Sequence, residues 1–336
     1  MVVGVVMKLN MPVTLTATVL NTINICVFCR KTMRSSTNAY LLASSVSQLL
    51  YGIIMLCDVV GFITYGNATN LFSTVFGIYI SNYVAVVLRR FTFLIACVVS
   101  MERYLVTAIP LKAKQYRLVH SPGQFITGVA LFSLLAHVYS FLRNTVNTNY
   151  KDGVTTYSAC QTSFYMNNMY VLNAWSTTTR VLSVYLAVTA SLVFNVLVVI
   201  SLRRQRQFRQ SITNNRVAGK LDAREKQTTV TILVTNFLSF VLSVPIVSNS
   251  MAFDLIPAYG YFSPYYQNVY LMIQQVGSTC VLFGLSVDFI SHMLLSEMYR
   301  STFFCMFKPR CVAVTPKTFQ RSSNVTSADN LWCIGV

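Results

Sequence analysis

The chain has 336 residues and a net charge of +17, yet only 10% of its residues are charged and 54% are hydrophobic. With a mean hydropathy of +0.55, this composition excludes a soluble globular protein and predicts a membrane protein. A run of about 20 apolar residues can cross the hydrocarbon layer. Seven such runs can be placed, at 5–29, 39–64, 73–103, 123–142, 175–202, 228–253 and 266–294.

Lysine and arginine are distributed unevenly around these runs. Of the 26 basic residues, 20 lie at or after the ends of the first, third, fifth and seventh runs. Because Lys-rich and Arg-rich loops stay in the cytosol, the pattern predicts an extracellular N-terminus and a cytosolic C-terminus. The positive charge therefore belongs to the cytosolic face, where membrane lipids are the expected contact, and nucleic acid is not an expected partner.

The third run contains two adjacent cations, Arg89 and Arg90. On a helix, Arg89 lies about 40° around the axis from Arg103 and about 21 Å along it, so we expect Arg89 to face the bundle interior at pocket depth. An ionisable group inside a membrane is a functional candidate. Arg89 is either a ligand contact or one half of a structural ion pair with Asp58 or Asp288. Arg90 faces another way and is interpreted as structural.

The third run ends in Glu102-Arg103-Tyr104, and Pro110-Leu111 follows seven residues later. An arginine at the membrane boundary is costly to leave unpaired, and Glu102 is adjacent to it. Leu111 is an apolar residue among the cations of this loop.

The loops and the tail carry weaker signals. In the long outer loop, 143–174, Asp152-Gly153 stands between β-prone residues and predicts a hairpin. Asn67 begins a glycosylation sequon on the outer side. Cys305 and Cys311, beside aromatic and basic residues, are candidates for S-palmitoylation. We predict a membrane domain over 1–304 and a disordered cytoplasmic tail over 305–336.

Signatures of catalysis are missing from the sequence. The three histidines share no ligand spacing, and there is no nucleophile motif, phosphate-binding glycine loop or pair of carboxylates on one face. The sequence predicts neither an enzyme nor a metal site, and it implies no cofactor.

The spacing of these features resembles the rhodopsin-like (class A) G protein-coupled receptors over nearly the whole chain. The motifs that carry the resemblance are Asn21 in the first run, 37–42 at the entry to the second, Glu102-Arg103-Tyr104 with Pro110-Leu111, Pro245 in the sixth, 288–292 at the place of Asn-Pro-x-x-Tyr, and Glu297 to Phe304 as a short amphipathic eighth helix.

Several positions depart from the family pattern. Gln48 stands where the family has a buried aspartate, and Ser243 stands where it has a tryptophan. The stretch from Asp288 to His292 lacks the proline and the tyrosine. Cys160 lies in the outer loop as expected, but Ile78 replaces its usual partner. This divergence resembles invertebrate chemosensory-type receptors more than hormone receptors.

The resemblance implies an all-α fold, a seven-transmembrane helix bundle, in the plasma membrane. It implies an extracellular small-molecule or peptide ligand and a heterotrimeric G protein as partners. Glu225, 20 residues before Pro245, would hold Arg103 in the resting state; a plain interfacial charge cluster is the alternative. The implied switch and coupling residues are Glu102, Arg103, Tyr104, Pro110, Leu111, Glu225, Pro245, Asp288 and His292. The pocket candidates are Arg89, Asp58, Ala85 and Ser243.

Other interpretations concern one residue pair and the function of the chain. Asp288 and His292 share a helix face and form either a hydrogen-bonded core pair or a proton-sensitive pair. The missing switch residues also fit a degenerate receptor that no longer signals. A ligand-gated channel or transporter with a cytosolic N-terminus conflicts with the distribution of basic residues.

The charge distribution generates a test of topology. Epitope tags at the two termini of intact cells should be accessible to antibody at the N-terminus and inaccessible at the C-terminus, because the basic loops stay in the cytosol. Permeabilised cells, in which both tags are accessible, are the control. Tags found on the same side would contradict seven spans.

Overall fold

The computed structural model describes residues 2–65, 70–109, 116–151, 154–210, 218–256, 259–260 and 265–307. Within these ranges, seven helices are long and apolar enough to cross a membrane. They are α1 (Val2–Phe28), α2 (Ser36–Tyr65), α3 (Leu71–Val75, Phe76–Val84 and Ala85–Ala108), α4 (Pro122–Ala136 and Val138–Arg143), α5 (Met169–Arg180, Val181–Leu186 and Ala187–Gln210), α6 (Ala218–Leu255) and α7 (Gln267–Leu295). The helix α8 (Glu297–Phe307) follows.

These helices confirm the predicted seven-helix fold, and each one overlaps a predicted apolar run. We call the end of the bundle where α1, α3, α5 and α7 finish the basic end, after its cationic loops. The opposite end, where α1 begins, is called the hairpin end. At the basic end, α5 continues past its apolar run to Gln210, and α6 begins well before its own run, at Ala218.

A β-hairpin lies in the loop between α4 and α5. Strand β1 (Asn144–Lys151) pairs antiparallel with β2 (Val154–Gln161), in a register that runs from Asn144 opposite Gln161 to Lys151 opposite Val154. This register leaves the two residues 152 and 153 for the connection, which is the length that Asp-Gly turns favour. The strands confirm the predicted hairpin, and the turn itself lies outside the described residues.

Two helices contain π-helical segments near the hairpin end, Phe76–Val84 in α3 and Val181–Leu186 in α5. A π-helical segment shifts which residues of a helix face its neighbours, and such segments often occur at functional sites. Arg89 follows the first segment by five residues, and Arg180 directly precedes the second. Both arginines therefore lie next to a π-helical segment of their own helix.

The eighth helix packs back onto the bundle. Tyr299 of α8 is fully buried, and its hydroxyl donates to Oδ1 of Asn24 in α1. Burial raises the pKa of the Tyr299 phenol, so the group stays a neutral hydrogen-bond donor. Phe303 contacts Phe289 of α7 with 6.0 Å between ring centroids. The helix continues to Phe307, so the predicted domain boundary after residue 304 falls inside it.

Helices α6 and α7 approach each other closely beside Pro245. A Cβ at Gly277 would lie 2.9 Å from the backbone nitrogen of Ile246 and 3.0 Å from its Cα, both of which belong to the α6 backbone. Gly284, two turns further along α7, has only ordinary contacts, with Leu242 at 3.9 Å. The absence of a side chain at Gly277 is therefore required for this helix contact.

Gly277→Ala should lower the stability of the bundle by about 1–3 kcal/mol, because the methyl group meets backbone that cannot move away. Gly284→Ala is the matched control and should have little effect, since the added methyl group makes only ordinary van der Waals contact. Thermal unfolding of the two variants in detergent measures the difference. Equal melting temperatures would show that α6 and α7 are not in close contact at Gly277.

Candidate functional site

A cavity of about 120 Å³ lies inside the bundle, between α2, α3, α5, α6 and α7. Along α3 its wall runs from Arg89 to Val99, which is about 15 Å of helix. Most of the lining is apolar. Its polar groups include Arg89, Gln48, Asn236, Ser243 and Asp288. A mostly apolar cavity with a few convergent polar groups is the usual form of a small-molecule site.

Arg89 lies at the hairpin-end limit of the cavity wall on α3. Its Nε is buried and has no hydrogen-bond partner, and the guanidinium interacts with the hydroxyl of Tyr51. The two ion pairs of the described residues include neither Arg89 with Asp58 nor Arg89 with Asp288. The structural ion pair that the sequence left open is therefore not formed in the described part of the chain.

The other three pocket candidates are placed differently from one another. Ser243 lines the cavity, and its hydroxyl donates to the Ser239 carbonyl at 2.7 Å. Asp58 and Ala85 do not line the cavity. Both carboxylate oxygens of Asp58 accept from the Ser81 hydroxyl, at 2.7 and 2.6 Å, and Ala85 is buried in an apolar cluster. Arg89 and Ser243 are thus the two candidates that the cavity brings together.

Asp288 connects α7 to α2. Its Oδ2 accepts from the Gln48 side-chain amide at 2.8 Å, and Gln48 also donates to Ser44. Nearby, the Asn21 amide donates to the carbonyl oxygens of Ala17 and Leu285, each at 3.0 Å, and so connects α1 to α7. Gln48 occupies the family's aspartate position and binds a carboxylate that α7 supplies.

No hydrogen bond joins His292 and Asp288 in the described structure, where Asp288 instead accepts from Gln48. The hydrogen-bonded core pair is therefore not formed there, and the proton-sensitive pair stays a prediction. The His292 ring stacks on Tyr299 at 5.3 Å and contacts Phe28 edge-on at 5.3 Å, and its buried Nε2 has no partner. The His292 ring is therefore packed against aromatic side chains of α1 and α8.

At the basic end, Glu102 is fully buried and held at the start of α2. One of its carboxylate oxygens accepts from the Thr37 hydroxyl at 2.7 Å, and the other accepts from the Ser36 hydroxyl. Nε of Arg103 lies 3.6 Å from the carboxylate. Ser36 and Thr37 are the first residues of α2, and a helix N-terminus favours negative charge. The hydroxyl donors and the adjacent cation together compensate the buried carboxylate.

A family model for the serpentine type 7TM GPCR chemoreceptor Srw matches residues 8–310. The chain belongs to this family. The matched region includes most of α1, all of α2 to α7 and α8, and it confirms the resemblance to chemosensory-type receptors. No curated protein matches the chain.

Of the remaining predicted switch residues of this Srw-family chain, the structure describes the side chains of Tyr104 and Pro245. The Tyr104 ring lies 6.0 Å from that of Phe194 on α5, and the Gln205 amide of α5 donates to the Thr107 carbonyl of α3. Pro245 lies inside α6. Pro110 and Leu111 lie outside the described residues, as does the side chain of Glu225, so the proposed contact between Glu225 and Arg103 stays a prediction.

Of the three candidate modification sites, the structure describes one. Cys305 is exposed on α8, whereas Cys311 and Asn67 lie outside the described residues. Cys160 is a free thiol on β2, and Ile78 is buried on α3. No group of three His, Cys, Asp or Glu side chains that could hold a metal ion occurs in the described ranges.

The sequence did not predict the ion pair between Arg180 and Asp254. Nη1 of Arg180 on α5 lies 3.2 Å from Oδ1 of Asp254 on α6. The signal was available, because Arg180 is a cation inside an apolar run, as Arg89 is. The two residues are 74 positions apart, however, and sequence alone does not show that α5 and α6 bring them together.

Proposed function

We propose that this chain is a plasma-membrane receptor that binds an extracellular chemical and activates a heterotrimeric G protein. Its hairpin end faces the outside and its basic end faces the cytosol, in accord with the distribution of Lys and Arg. The observation that carries the proposal is the internal cavity with Arg89 on its wall. Membership of a chemoreceptor family supports the same conclusion.

The cavity indicates the charge of the ligand. Arg89 presents a cation, and Ala85 stands where amine receptors of the class A family have an aspartate, so an amine lacks its usual partner. A carboxylate, phosphate or sulfate could instead accept two hydrogen bonds from the guanidinium. Because no ion pair in the described structure neutralises Arg89, we infer that anionic or neutral polar ligands bind in preference to amines.

The basic end contains the elements of a coupling surface. Arg103 lies beside Glu102, and an approach of Glu225 from α6 would hold the two helices together in the resting state. Separation of these helices would expose a surface for the G protein, and Leu111 would enter an apolar pocket on that partner. Cys305, exposed beside the exposed rings of Phe304 and Phe307, is suited to a lipid anchor at this face.

The direct test is a screen of surface-expressed protein against pools of small molecules and peptides, with G protein activation as the readout. At least one pool should activate, and Leu111→Ala should lower the response about tenfold or more while ligand binding persists, because an apolar anchor at the interface is lost. Equal loss of binding and coupling would indicate misfolding. A binder that never activates any G protein would favour a receptor that no longer signals.

Arg89→Gln tests the ligand's charge. For an anionic agonist found in the screen, this variant should raise the half-maximal concentration about tenfold or more, because a charge-assisted hydrogen-bonded pair is lost. Arg143→Gln is the matched control, since Arg143 lies over the Tyr165 ring, at 5.3 Å, and does not line the cavity. Unchanged potency of Arg89→Gln at normal surface expression would make Arg89 structural.

A further inference from the structure

The hairpin ends of α5 and α6 are joined through a single carboxylate. Asp254 near the end of α6 pairs with Arg180 at 3.2 Å through Oδ1, and its Oδ2 accepts from the Tyr185 hydroxyl at 2.8 Å. The Arg180 guanidinium also lies over the Phe253 ring, 5.2 Å from its centroid. We call Arg180, Tyr185 and Asp254 the outer clasp.

The contacts of the outer clasp join α5 to α6 at this end of the bundle. The Arg180 and Asp254 side chains are only 17% and 10% exposed, so water replaces few of their contacts. Among the described residues near the hairpin ends of the two helices, no other hydrogen bond or ion pair joins a side chain of α5 directly to one of α6. Loss of one partner would leave a charge buried without compensation, and the end of α6 would separate from α5.

A second guanidinium near the clasp has no carboxylate of its own. Arg90 is only 9% exposed, its Nε has no hydrogen-bond partner, and neither described ion pair includes it. The charges of Arg89 and Arg180 both repel that of Arg90, and the hydroxyls of Tyr139 and Tyr185 also lie within range of it. Asp254 thus pairs with Arg180, and no described carboxylate pairs with Arg90.

Two guanidinium groups of this kind can bind an oxyanion, and the Asp254 carboxylate already occupies one of them, Arg180. A guanidinium binds planar oxyanions through two parallel hydrogen bonds, and Arg90 has buried donor capacity that no described group uses. An incoming anion would gain contacts with both cations, whereas Asp254 pairs with Arg180 alone. The position of Asp254 near the end of its helix allows it to leave without breaking the rest of α6.

We propose that Arg90 and Arg180 form a subsite for an oxyanion of the ligand, and that Asp254 occupies this subsite until the ligand displaces it. The subsite is separate from the cavity, because adjacent residues point about 100° apart around a helix and only Arg89 lines the cavity. Displacement of Asp254 frees the end of α6, which couples binding at the hairpin end to the helix that carries Pro245. As a statement about ligand binding, this inference rests on the proposed receptor function.

Hydrogen–deuterium exchange of the full-length protein in phosphatidylcholine nanodiscs tests the clasp without any G protein. Asp254→Asn should speed exchange of the amides of residues 249–255 about tenfold, since local opening governs exchange at a helix end. Tyr185→Phe removes one hydroxyl only and should have a smaller effect in the same direction. Asp58→Asn, a carboxylate on α2 outside the clasp, is the matched control and should leave these amides unchanged.

The subsite itself is tested with sodium acetate and sodium phosphate, against sodium chloride at equal ionic strength. In the wild-type protein, at least one of the two oxyanions should speed exchange at residues 249–255 about threefold, as expected when an anion shifts the population toward the released state. Arg90→Gln should abolish this response, and Arg89→Gln should retain it. A response to acetate alone identifies a carboxylate subsite, and a response to phosphate alone identifies a phosphate subsite.

Two results would overturn the subsite. One is an equal response to chloride and to both oxyanions, which would reflect ionic strength alone. The other is a response that survives in Arg90→Gln. Neither result bears on the receptor proposal, because the readout needs no G protein. Conversely, a protein that passes this test but never activates a G protein would retain the subsite and lose the proposed signalling function.

Discussion

A polar side chain inside a bilayer has no water to bond, so its partners must come from the protein. This constraint explains how the helices are held together. The Asn21 amide finds a carbonyl on α7, the Gln48 amide finds the Asp288 carboxylate, and the Glu102 carboxylate finds the hydroxyls of Ser36 and Thr37. Each bond joins two different helices, so satisfying these groups also fixes which helices are neighbours. Apolar packing alone does not do this, because lipid tails offer the same apolar contact.

Arg89 and Arg90 are conspicuous because they break this rule. Each has a buried Nε without a hydrogen-bond partner, and each lacks a carboxylate in the described structure. A charge in the membrane interior costs several kcal/mol, so a protein selected for stability alone would not be expected to keep both arginines. Functional sites are where such local violations are expected. The two arginines therefore favour a site for anions within the half of the bundle nearer its hairpin end, where the described residues include few acidic side chains.

The fold was predictable because its main determinants are local. The seven apolar runs and the distribution of basic residues can be identified directly in the sequence. Asp152-Gly153, between β-prone residues, is a short-range hairpin signal. The position of Arg89 on the cavity wall also followed from local geometry, since the helical angle between Arg89 and Arg103 is fixed by the helix repeat. The end of α8 was placed three residues early, although Pro309, two residues after Phe307, is a helix-stop signal in the sequence.

Partner choice between helices could not be predicted in the same way. Asp288 and His292 are four residues apart on one helix face, which predicts a pair, yet each finds a better partner elsewhere. Gln48 offers the carboxylate a neutral donor from α2, while Tyr299 and Phe28 offer the imidazole two aromatic faces. The same problem concealed Arg180 and Asp254, whose contact depends on how α5 and α6 approach each other. Side-chain partners 74 to 264 residues apart are decided by tertiary packing, which a single sequence does not specify.

In the hydrogen bond between Gln48 and Asp288, the carboxylate lies on α7 and the amide on α2. This placement affects how the departures from the family pattern are interpreted. A carboxylate on one helix and an amide donor on the other make one hydrogen bond, whichever helix supplies the carboxylate. Here α2 supplies the amide and α7 supplies the carboxylate, so the bond between the two helices persists although the aspartate of α2 is gone. The missing tyrosine of α7 is matched in a similar way, because His292 at its place stacks on Tyr299 of α8, which in turn bonds Asn24 of α1. Substituted motif residues therefore do not by themselves indicate that contacts between helices are lost, since other side chains of α2, α7 and α8 make such contacts here.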